Sequence, residues 1–262
     1  IMARLSWILL VAAAVCSSPA AEAETLGVPV AIEDYPSLAQ VEVYFLGIWI
    51  QQCAGVVITN YHILSTAYCF SGSLYDENNR RIRVGTASRY DGGQLEYVQR
   101  VYNYPSYGSL DHDGDLSVVR IYSSLVFNDR VAQAMILGQG IDLPYGLTVE
   151  NLGWGTTPQG GQSSNNQLYK LNLYVNHSDR CMMAYLEGEN PQYITENMAC
   201  VGLTYNTGRD FDSRDVGAPL FYENTLVGLL SFGRSDGEDT YPVVATSIGS
   251  YSDWIVATAS TG

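Results

Sequence analysis

Short apolar segments of four to ten residues, separated by turn residues, recur along the chain and constrain its fold more than any other feature. They are rich in valine, isoleucine and tyrosine, whose side chains pack well on a pleated surface. The predicted strands are Val41–Ile50, Cys53–Ile58, Ile63–Thr66, Arg81–Val84, Leu95–Tyr102, Leu116–Tyr122, Leu147–Leu152, Gln167–Val175, Met198–Val201, Pro219–Tyr222, Thr225–Ser231 and Val243–Ile248. Strands at this spacing predict an all-β sandwich or barrel. Only Tyr251–Ala259, with Trp254 and Ile255 on one face, predicts a helix.

The first 23 residues are expected to be a secretory signal peptide. One basic residue, Arg4, is followed by the apolar run Trp7–Val15 and then by Ala21–Ala23, which fits an A-x-A cleavage site. The apolar run is too short to span a bilayer, which takes ~20 apolar residues. We therefore expect a secreted, extracellular protein.

Cys16 belongs to the expected signal peptide, so four cysteines remain in the mature chain: Cys53, Cys69, Cys181 and Cys200. An even number in an oxidising compartment predicts two disulfides, with three possible connectivities. Pairing of sequence neighbours closes short loops, each of which stabilises the fold by roughly 3 kcal/mol through loop entropy. A zinc site is the alternative, although no histidine stands at ligand spacing from a cysteine pair. We expect no metal and no cofactor.

The formal net charge is −14, and the expected signal peptide contains one arginine and one glutamate, so its removal leaves this charge unchanged. An acidic protein is repelled by nucleic acid and by anionic membranes, and we expect neither as a partner. The charge serves either solubility in a secreted fluid or docking to a basic partner.

Several short motifs follow one another in a recognisable order through nearly all of Glu24–Ala259. They are Cys53–Val57, Leu64–Cys69, Gly114–Leu116, Gly153–Gly155, Asn197–Cys200, Arg209–Leu220, Gly228–Gly233 and Asp253–Ile255. Together they resemble the trypsin-like serine proteases. The sequence Arg214-Asp215-Val216-Gly217-Ala218-Pro219-Leu220 resembles the nucleophile segment of that family, Gly-Asp-Ser-Gly-Gly-Pro-Leu.

The resemblance implies an all-β fold of two six-stranded antiparallel barrels, packed at an angle and followed by a C-terminal helix. The N-terminal barrel would cover about 24–135, and the C-terminal barrel with its helix about 136–262. The family's disulfide pattern implies pairing of Cys53 with Cys69 and of Cys181 with Cys200.

Catalysis in this family needs a hydroxyl nucleophile, an imidazole base and an orienting carboxylate. By resemblance, these three positions are Val216, Tyr68 and Asp115. Valine has no lone pair, and a phenol with a pKa near ~10 does not act as a base at neutral pH. Without an imidazole to orient, Asp115 is expected to be a buried acid bonded to Tyr68 and to nearby backbone amides.

A rescued mechanism would need another nucleophile and another base. Ser213 lies three residues before the nucleophile position, and we expect His62, His112 and His177 in loops. His112 is near Asp115 in sequence, but this separation does not place it between Asp115 and the nucleophile position.

The oxyanion hole of the family uses backbone N–H groups and a glycine, whose position is here Arg214. Because arginine at positive φ is unfavourable, we expect the backbone N–H groups of this hole to be misoriented.

The specificity pocket resembles that of trypsins but is altered. Asp210 stands where trypsins have the carboxylate at the base of the pocket, and Phe211 follows it. Val243 replaces a glycine of the pocket wall, so its side chain should narrow or plug the slot. Ser231 and Gly233 flank the edge that pairs with substrate backbone. Asp210 is either a relic that pairs with a neighbouring arginine or a group that still binds a basic side chain.

In the family, activation frees an amine that pairs with the aspartate before the nucleophile, here Asp215. Cleavage after Ala23 would create an amine at Glu24, at the corresponding site. We hypothesise that this terminus pairs with Asp215, although burial of the Glu24 carboxylate opposes it.

Asn176 begins an Asn-x-Ser sequence, an N-glycosylation acceptor expected on an exposed loop. The sequence favours a secreted, non-catalytic protease homologue that binds a protease, an inhibitor or another component of a secreted cascade. The alternatives are a trypsin-like endopeptidase with displaced or residual activity, and a structural or storage protein of a secreted matrix.

Overall fold

The computed structural model describes residues 27–73, 75–155, 166–187, 190–204, 215–234 and 241–261. The expected signal peptide, Glu24, Asp210, Phe211, Ser213 and Arg214 lie outside these ranges, and the predictions that rest on them stay predictions.

Strands far outnumber helices among the described residues. The strands are β1 (Val28–Pro29), β2 (Leu38–Phe45), β3 (Ile48–Val57), β4 (His62–Ser65), β5 (Arg80–Val84), β6 (Gln94–Asn103), β7 (Ser117–Ile121), β8 (Met135–Ile136), β9 (Thr148–Gly153), β10 (Tyr169–Val175), β11 (Met198–Gly202), β12 (Pro219–Tyr222), β13 (Thr225–Phe232) and β14 (Val243–Ser247). The α-helices are α1 (Ser178–Leu186) and α2 (Ser252–Thr261).

The N-terminal barrel closes in the order β2-β3-β4-β7-β6-β5. Its interior follows the alternation of side chains along a strand. Ala39 and Val41 of β2 pair with Val84 and Ile82 of β5, and all four are buried in one apolar cluster. The predicted strand pattern is therefore explained by a barrel interior.

The C-terminal barrel is formed by β9, β12, β13, β14, β11 and β10, and the pairing of β10 with β9 closes it. The short strand β1 pairs with β10, and β8 runs parallel to β13. Two closed six-stranded barrels and the C-terminal helix confirm the predicted fold class.

The two barrels share an apolar core. One cluster of buried side chains includes Leu38 and Val56 of the first barrel together with Leu152 and Leu229 of the second. Across the same boundary, the indole N–H of Trp154 donates to the carbonyl of Ala87 at 2.8 Å. This packing fixes the loops that meet between the barrels.

The predicted strand Val41–Ile50 is wrong, because it spans a hairpin. The chain reverses between β2 and β3 at Leu46 and Gly47, which have φ angles of 49° and 89°. Two-residue hairpin turns usually contain Asn-Gly or Asp-Gly, and only the glycine of that signal is present here. The other position holds leucine, which is rare at positive φ.

Helix α1 was not predicted, and only Cys181 and Tyr185 are buried along its nine residues. Its apolar residues form the continuous run Cys181–Leu186, which shows no helical alternation in the sequence. The helix is held instead by its disulfide and by the Tyr185 hydroxyl, which donates to the carbonyl of Pro242 at 2.7 Å.

Two disulfides are present, Cys53–Cys69 and Cys181–Cys200. The first ties β3 to the 3-10 turn Ala67–Phe70, and the second ties α1 to β11. The implied pairing is confirmed, and the zinc alternative is wrong because all four sulfurs are in disulfides. Such bonds fit an extracellular protein.

Within the described ranges, neither helix has the length and apolar composition needed to cross a membrane. Nor do these ranges bring together three histidine, cysteine or acidic side chains that could hold a metal ion.

Candidate functional site

Three residues singled out by the sequence lie where loops of the two barrels meet. Tyr68 is in the 3-10 turn that follows β4, and Asp115 precedes β7. Val216 is in the turn before β12 of the second barrel. Hydrogen bonds and apolar contacts between the barrels connect these loops.

The Asp115 carboxylate is fully buried and receives hydrogen bonds from both barrels. The backbone N–H of Tyr68 donates to Oδ1 at 2.7 Å, and the Ser231 hydroxyl donates to Oδ2 at 2.6 Å. The backbone N–H of Ala67 is a further donor. Burial raises the pKa of this carboxyl to about 6, and the hydrogen bonds partly oppose the shift. Asp115 is thus a buried acid bonded to backbone amides, as expected, and the Ser231 hydroxyl is the partner that the sequence did not indicate.

Tyr68 contacts Asp115 through its backbone rather than through its phenol. Its side chain is 47% exposed. A second phenol in this region, Tyr107, is hydrogen-bonded to Ser71, and burial raises the pKa of Tyr107 to about 12. The Tyr107 phenol therefore stays protonated at neutral pH and adds no base to the site.

Val216 is part of an apolar core. It is 3% exposed and belongs to the cluster of the N-terminal barrel, together with the Cys53–Cys69 disulfide. Its backbone carbonyl accepts a hydrogen bond from the Ala54 N–H at 2.9 Å. The position that the resemblance assigns to the nucleophile thus holds a packed aliphatic side chain.

The turn around Val216 keeps a glycine for a steric reason. Gly217 has a φ of 78°, and an added Cβ would lie 2.2 Å from the carbonyl oxygen of Ala54. Its N–H donates to the Leu230 carbonyl at 2.7 Å. Only glycine allows this close approach of the two barrels.

Asp215 is buried, and its carboxylate lies against Gly155, where an added Cβ would stand 1.9 Å from Oδ1. The glycine at position 155 therefore makes room for this side chain. Pairing of Asp215 with an amine at Glu24 stays a prediction, because Glu24 is outside the described residues.

The specificity pocket that the resemblance implies has three described members, Ser231, Gly233 and Val243. Val243 is fully buried on β14 and packs in the core shared by the barrels. Asp210 and Phe211, the expected base of the pocket, are outside the described residues, so the narrowing of the pocket by Val243 stays a prediction.

Phe232, which stands between Ser231 and Gly233, is part of an aromatic stack. The ring of His112 lies on that of Phe232 with centroids 4.3 Å apart and an interplanar angle of 24°. The Gln192 amide approaches His112 Nε2 at 3.4 Å, and Tyr185 packs edge-on against Phe232. Burial lowers the pKa of His112, while Asp111 opposes this shift. His112 thus covers the aromatic ring at this edge and does not orient toward Asp115.

The other two histidines also have partners of their own. His62 was expected in a loop, and this is wrong, because it is the buried first residue of β4. Its Nδ1 lies 2.8 Å from the Thr59 hydroxyl. His177 stacks on Tyr145 at 3.6 Å between centroids. None of these contacts prepares an imidazole for proton transfer beside Asp115.

The expected exposure of Asn176 is wrong. Its side chain is only 7% exposed, and its backbone N–H donates to the Cys200 carbonyl at 2.8 Å. Asn176 directly follows β10, whose last residues pair with β11, and this pairing places Asn176 inside the fold. A glycan on this residue stays a prediction, and the folded chain leaves little room for it.

Two closed antiparallel barrels, with a buried carboxylate and a glycine-dependent turn where they meet, define the class of the trypsin-like serine proteases. The family model described as Trypsin matches residues 29–255, and the chain belongs to this family. It is 32% identical to Trypsin CFT-1 of Choristoneura fumiferana over 257 residues, which cover 97% of this chain and 98% of that protein. It is 28% identical to Trypsin, alkaline A of Manduca sexta, with 86% of each chain covered.

Solved structures show the same fold. The scabies mite inactivated protease paralogue S-D1 superposes with a TM-score of 0.77 at 20% identity, covering 90% of this chain and 97% of that one. Mouse neuropsin, a serine protease, superposes with a TM-score of 0.74 at 25% identity, covering 89% and 98%.

Proposed function

We propose that this chain is a secreted, non-catalytic member of the trypsin family that acts by binding other secreted proteins. The observation that carries the proposal is Val216, which is packed into the barrel core at the nucleophile position. The Asp115 carboxylate supports it, because its two oxygens accept from Ser231 and from the backbone of Tyr68.

Residual activity of such a site is negligible. Loss of the nucleophile or the base of a working triad lowers turnover by roughly 10⁶, and loss of both lowers it little further because they act as a unit. From a typical ~10 s⁻¹, this leaves about one event per day. Selection for hydrolysis does not account for a chain that retains the fold and turns over at such a rate.

The retained features are those that hold the fold together. Both disulfides, the buried Asp115 and the close approach at Gly217 all stabilise the contact between loops and barrels. The mite paralogue, described as inactivated, shows that this fold occurs in a protein of that description. A stable scaffold with variable surface loops is suited to binding a protease, an inhibitor or another component of a secreted cascade.

Hydrolysis and binding are tested separately. The purified mature chain is incubated with a fluorophosphonate probe and with an arginine ester, beside an active trypsin at equal concentration. We expect neither labelling nor hydrolysis by the chain. Stoichiometric labelling would overturn the proposal in favour of an endopeptidase with displaced chemistry.

Binding is tested with the secreted fluid of the source. The immobilised chain is expected to retain a protease or a protease inhibitor specifically, compared with an immobilised heat-unfolded sample. An empty eluate would contradict the binding role. Stoichiometric abundance together with dityrosine cross-links would instead favour a structural or storage protein.

A further inference from the structure

A cavity of about 310 Å³ opens on the second barrel. It is bounded by the loop before β9, the end of β10, the start of α1, the first residues of β11 and the end of β14. None of Tyr68, Asp115 and Val216 lines it, so it is separate from the site described above. A cavity of this volume is at the lower end of the range of ligand sites and has room for one small molecule.

The floor of the cavity is apolar and its mouth is acidic. Val175, Ala199 and Cys200 line it and are at most 8% exposed. Asp142 and Glu196 line it as well, and both are exposed. A ligand with an apolar body and a charged end would therefore bury its body and keep its charge at the mouth.

The charges around the mouth favour a cation. Among the residues that the structure describes, no lysine or arginine lines the cavity, and neither Asp142 nor Glu196 has an ion-pair or hydrogen-bond partner. Helix α1 begins at the cavity with Ser178, and Asp179 in its first turn offsets the positive end of the helix dipole. Arg180, the next residue of α1, does not line the cavity. The net charge of −14 also draws cations toward the chain.

Two aromatic rings stand beside these carboxylates. His177 and Tyr145 both line the cavity, and their rings stack with centroids 3.6 Å apart and an interplanar angle of 16°. Tyr145 is 49% exposed. A tyrosine ring attracts an organic cation through its π electrons. Because the two rings hold each other in place, they lose little side-chain freedom when a ligand binds.

The Ser247 hydroxyl is a buried polar group that lacks a partner. Ser247 ends β14, lines the cavity and is 7% exposed. The preceding Thr246 hydroxyl donates to the Asp115 carbonyl at 3.0 Å, so the alternation along the strand directs Ser247 to the opposite side, where the cavity lies. Its hydroxyl makes no hydrogen bond with any residue that the structure describes, whereas the Thr195 hydroxyl at the same cavity donates to Asp113. A buried hydroxyl without a partner costs free energy, which a ligand that bonds it recovers.

We propose that this cavity binds a small primary amine with an apolar body and a hydroxyl group at its far end. The ammonium group lies at the mouth with Asp142 and Glu196. The apolar body packs on Val175 and Cys200, and the hydroxyl bonds Ser247. A lysine side chain of a partner protein fits less well, because its ammonium group would enter first and reach the apolar floor. This site goes beyond the proposed binding of secreted proteins and does not depend on it.

The test titrates the isotope-labelled mature chain with tyramine, whose ammonium, ring and hydroxyl match the three parts of the cavity. Backbone amide shifts in NMR spectra report where it binds. Three analogues each change one group. Tyrosol has a hydroxyl in place of the ammonium, 4-hydroxyphenylacetate has a carboxylate there, and phenethylamine lacks the phenolic hydroxyl.

We expect tyramine to shift the amides of Ser178, Met198 and Ser247 with a Kd of about 1 mM, as is typical of a ligand of about ten non-hydrogen atoms. Tyrosol and 4-hydroxyphenylacetate should bind at least ~10-fold more weakly, since they lack the charge that the carboxylates attract. Phenethylamine should bind about 3- to 10-fold more weakly, which is the contribution of one hydrogen bond.

Variants of the chain test the same contacts from the other side. Asp142→Asn combined with Glu196→Gln should weaken tyramine binding at least ~10-fold. Glu77→Gln combined with Asp129→Asn removes the same two charges from exposed positions in the first barrel and should leave binding unchanged.

Ser247→Ala separates the hydroxyl contact from the charge. It should lower the affinity for tyramine to that for phenethylamine and leave phenethylamine binding as it was. The amide spectrum of each variant shows that it is folded before the titration begins.

Four results would overturn the inference. Tyramine could leave the three amides unshifted, 4-hydroxyphenylacetate could bind as tightly as tyramine, or the Asp142→Asn, Glu196→Gln variant could bind tyramine like its control. The fourth is a glycan on Asn176 in the intact mass of the secreted chain, since Asn176 lines the cavity and its glycan would occupy it.

Discussion

The hydroxyl of Ser231 donates to Oδ2 of Asp115 at 2.6 Å and thereby joins β13 of the second barrel to the loop before β7 of the first. The Thr246 hydroxyl, on β14, adds a hydrogen bond to the Asp115 carbonyl at 3.0 Å. The carboxylate thus links the barrels whether or not a base stands beside it. Its retention at a site without an imidazole follows from this structural role.

The pH dependence of stability should change when Asp115 is replaced by asparagine. Burial raises the pKa of Asp115 from 3.8 to about 6, so the folded chain takes up this proton at higher pH than the unfolded chain. The group stabilises the fold fully below its unfolded pKa, and the stabilisation is lost as the pH rises through about 6. Two pKa units correspond to on the order of 3 kcal/mol.

Urea unfolding of the wild type and of Asp115→Asn between about pH 4 and pH 8 checks this effect. The free energy of unfolding of the variant should rise relative to that of the wild type across this interval. Asp129→Asn, at an exposed position, is the control and should follow the wild type. If the free energy of unfolding changed with pH in the same way in all three proteins, this would contradict the raised pKa of Asp115.

His112 should give a pH dependence of opposite sign. Burial against Phe232 lowers its pKa below the ordinary value of 6.5, so its neutral form is favoured in the folded chain. This contribution is present above the unfolded pKa and is lost as the pH falls through the lower folded pKa. His112→Phe keeps an aromatic ring on Phe232 and cannot titrate, so its stability should fall less on acidification below pH 6.5.

The ring-proton shifts of His112 in an NMR titration measure the same quantity directly. A midpoint at or above the ordinary value of 6.5 would refute the buried neutral stack. Asp115 stabilises the fold at low pH, and His112 stabilises it at high pH. On acidification, the free energy of unfolding should therefore fall relative to the wild type in Asp115→Asn and rise relative to the wild type in His112→Phe.

A pair of glycines separates backbone strain from steric clash. Gly217 and Gly140 have similar φ angles of 78° and 76°, but an added Cβ meets the Ala54 carbonyl oxygen at 2.2 Å in the first case and no atom within 4 Å in the second. Gly140→Ala should therefore cost only the strain of a left-handed alanine, about 1–2 kcal/mol. Gly217→Ala should cost more, because the barrels must move apart.

Thermal or urea unfolding of the two variants measures the difference. Equal losses would show that the close approach at Gly217 does not matter for stability. In that case the retained glycine of the turn would need an explanation other than packing.

The sequence predicts the fold because its signals are local and repeated. Alternating apolar residues, such as Ala39 and Val41, predict strands, and the ordered motifs predict their arrangement as two barrels. Helix α1 escaped prediction because a disulfide and one buried tyrosine, rather than periodicity, hold it. The hairpin turn escaped because Leu46 occupies a conformation that leucine rarely adopts.

The site could be predicted residue by residue but not contact by contact. Resemblance pointed to Tyr68, Asp115 and Val216, and loops of both barrels bring these positions together. That Tyr68 would bond through its backbone, and that Ser231 would bond the carboxylate, depends on the meeting of loops distant in sequence. The burial of Asn176 likewise follows from strand pairing that the Asn-x-Ser sequence does not encode.

Placing the family's catalytic groups in this chain should give a reactive site, since the Asp115 carboxylate and its donors are in place. The triple variant Tyr68→His, Val216→Ser and Arg214→Gly returns the base, the nucleophile and the glycine of the oxyanion loop. It should label with a fluorophosphonate probe, while Val216→Ser alone should not, because a serine without a base is a weak nucleophile.

Val216→Ser should also lower stability by ~1–3 kcal/mol, since it places a hydroxyl in the apolar cluster around the Cys53–Cys69 disulfide. Adding Asp115→Asn to the triple variant should slow labelling by up to ~10⁴, as expected when the imidazole loses its orienting partner. A triple variant that folds and stays unlabelled would show that the site has lost more than the base, the nucleophile and the oxyanion glycine.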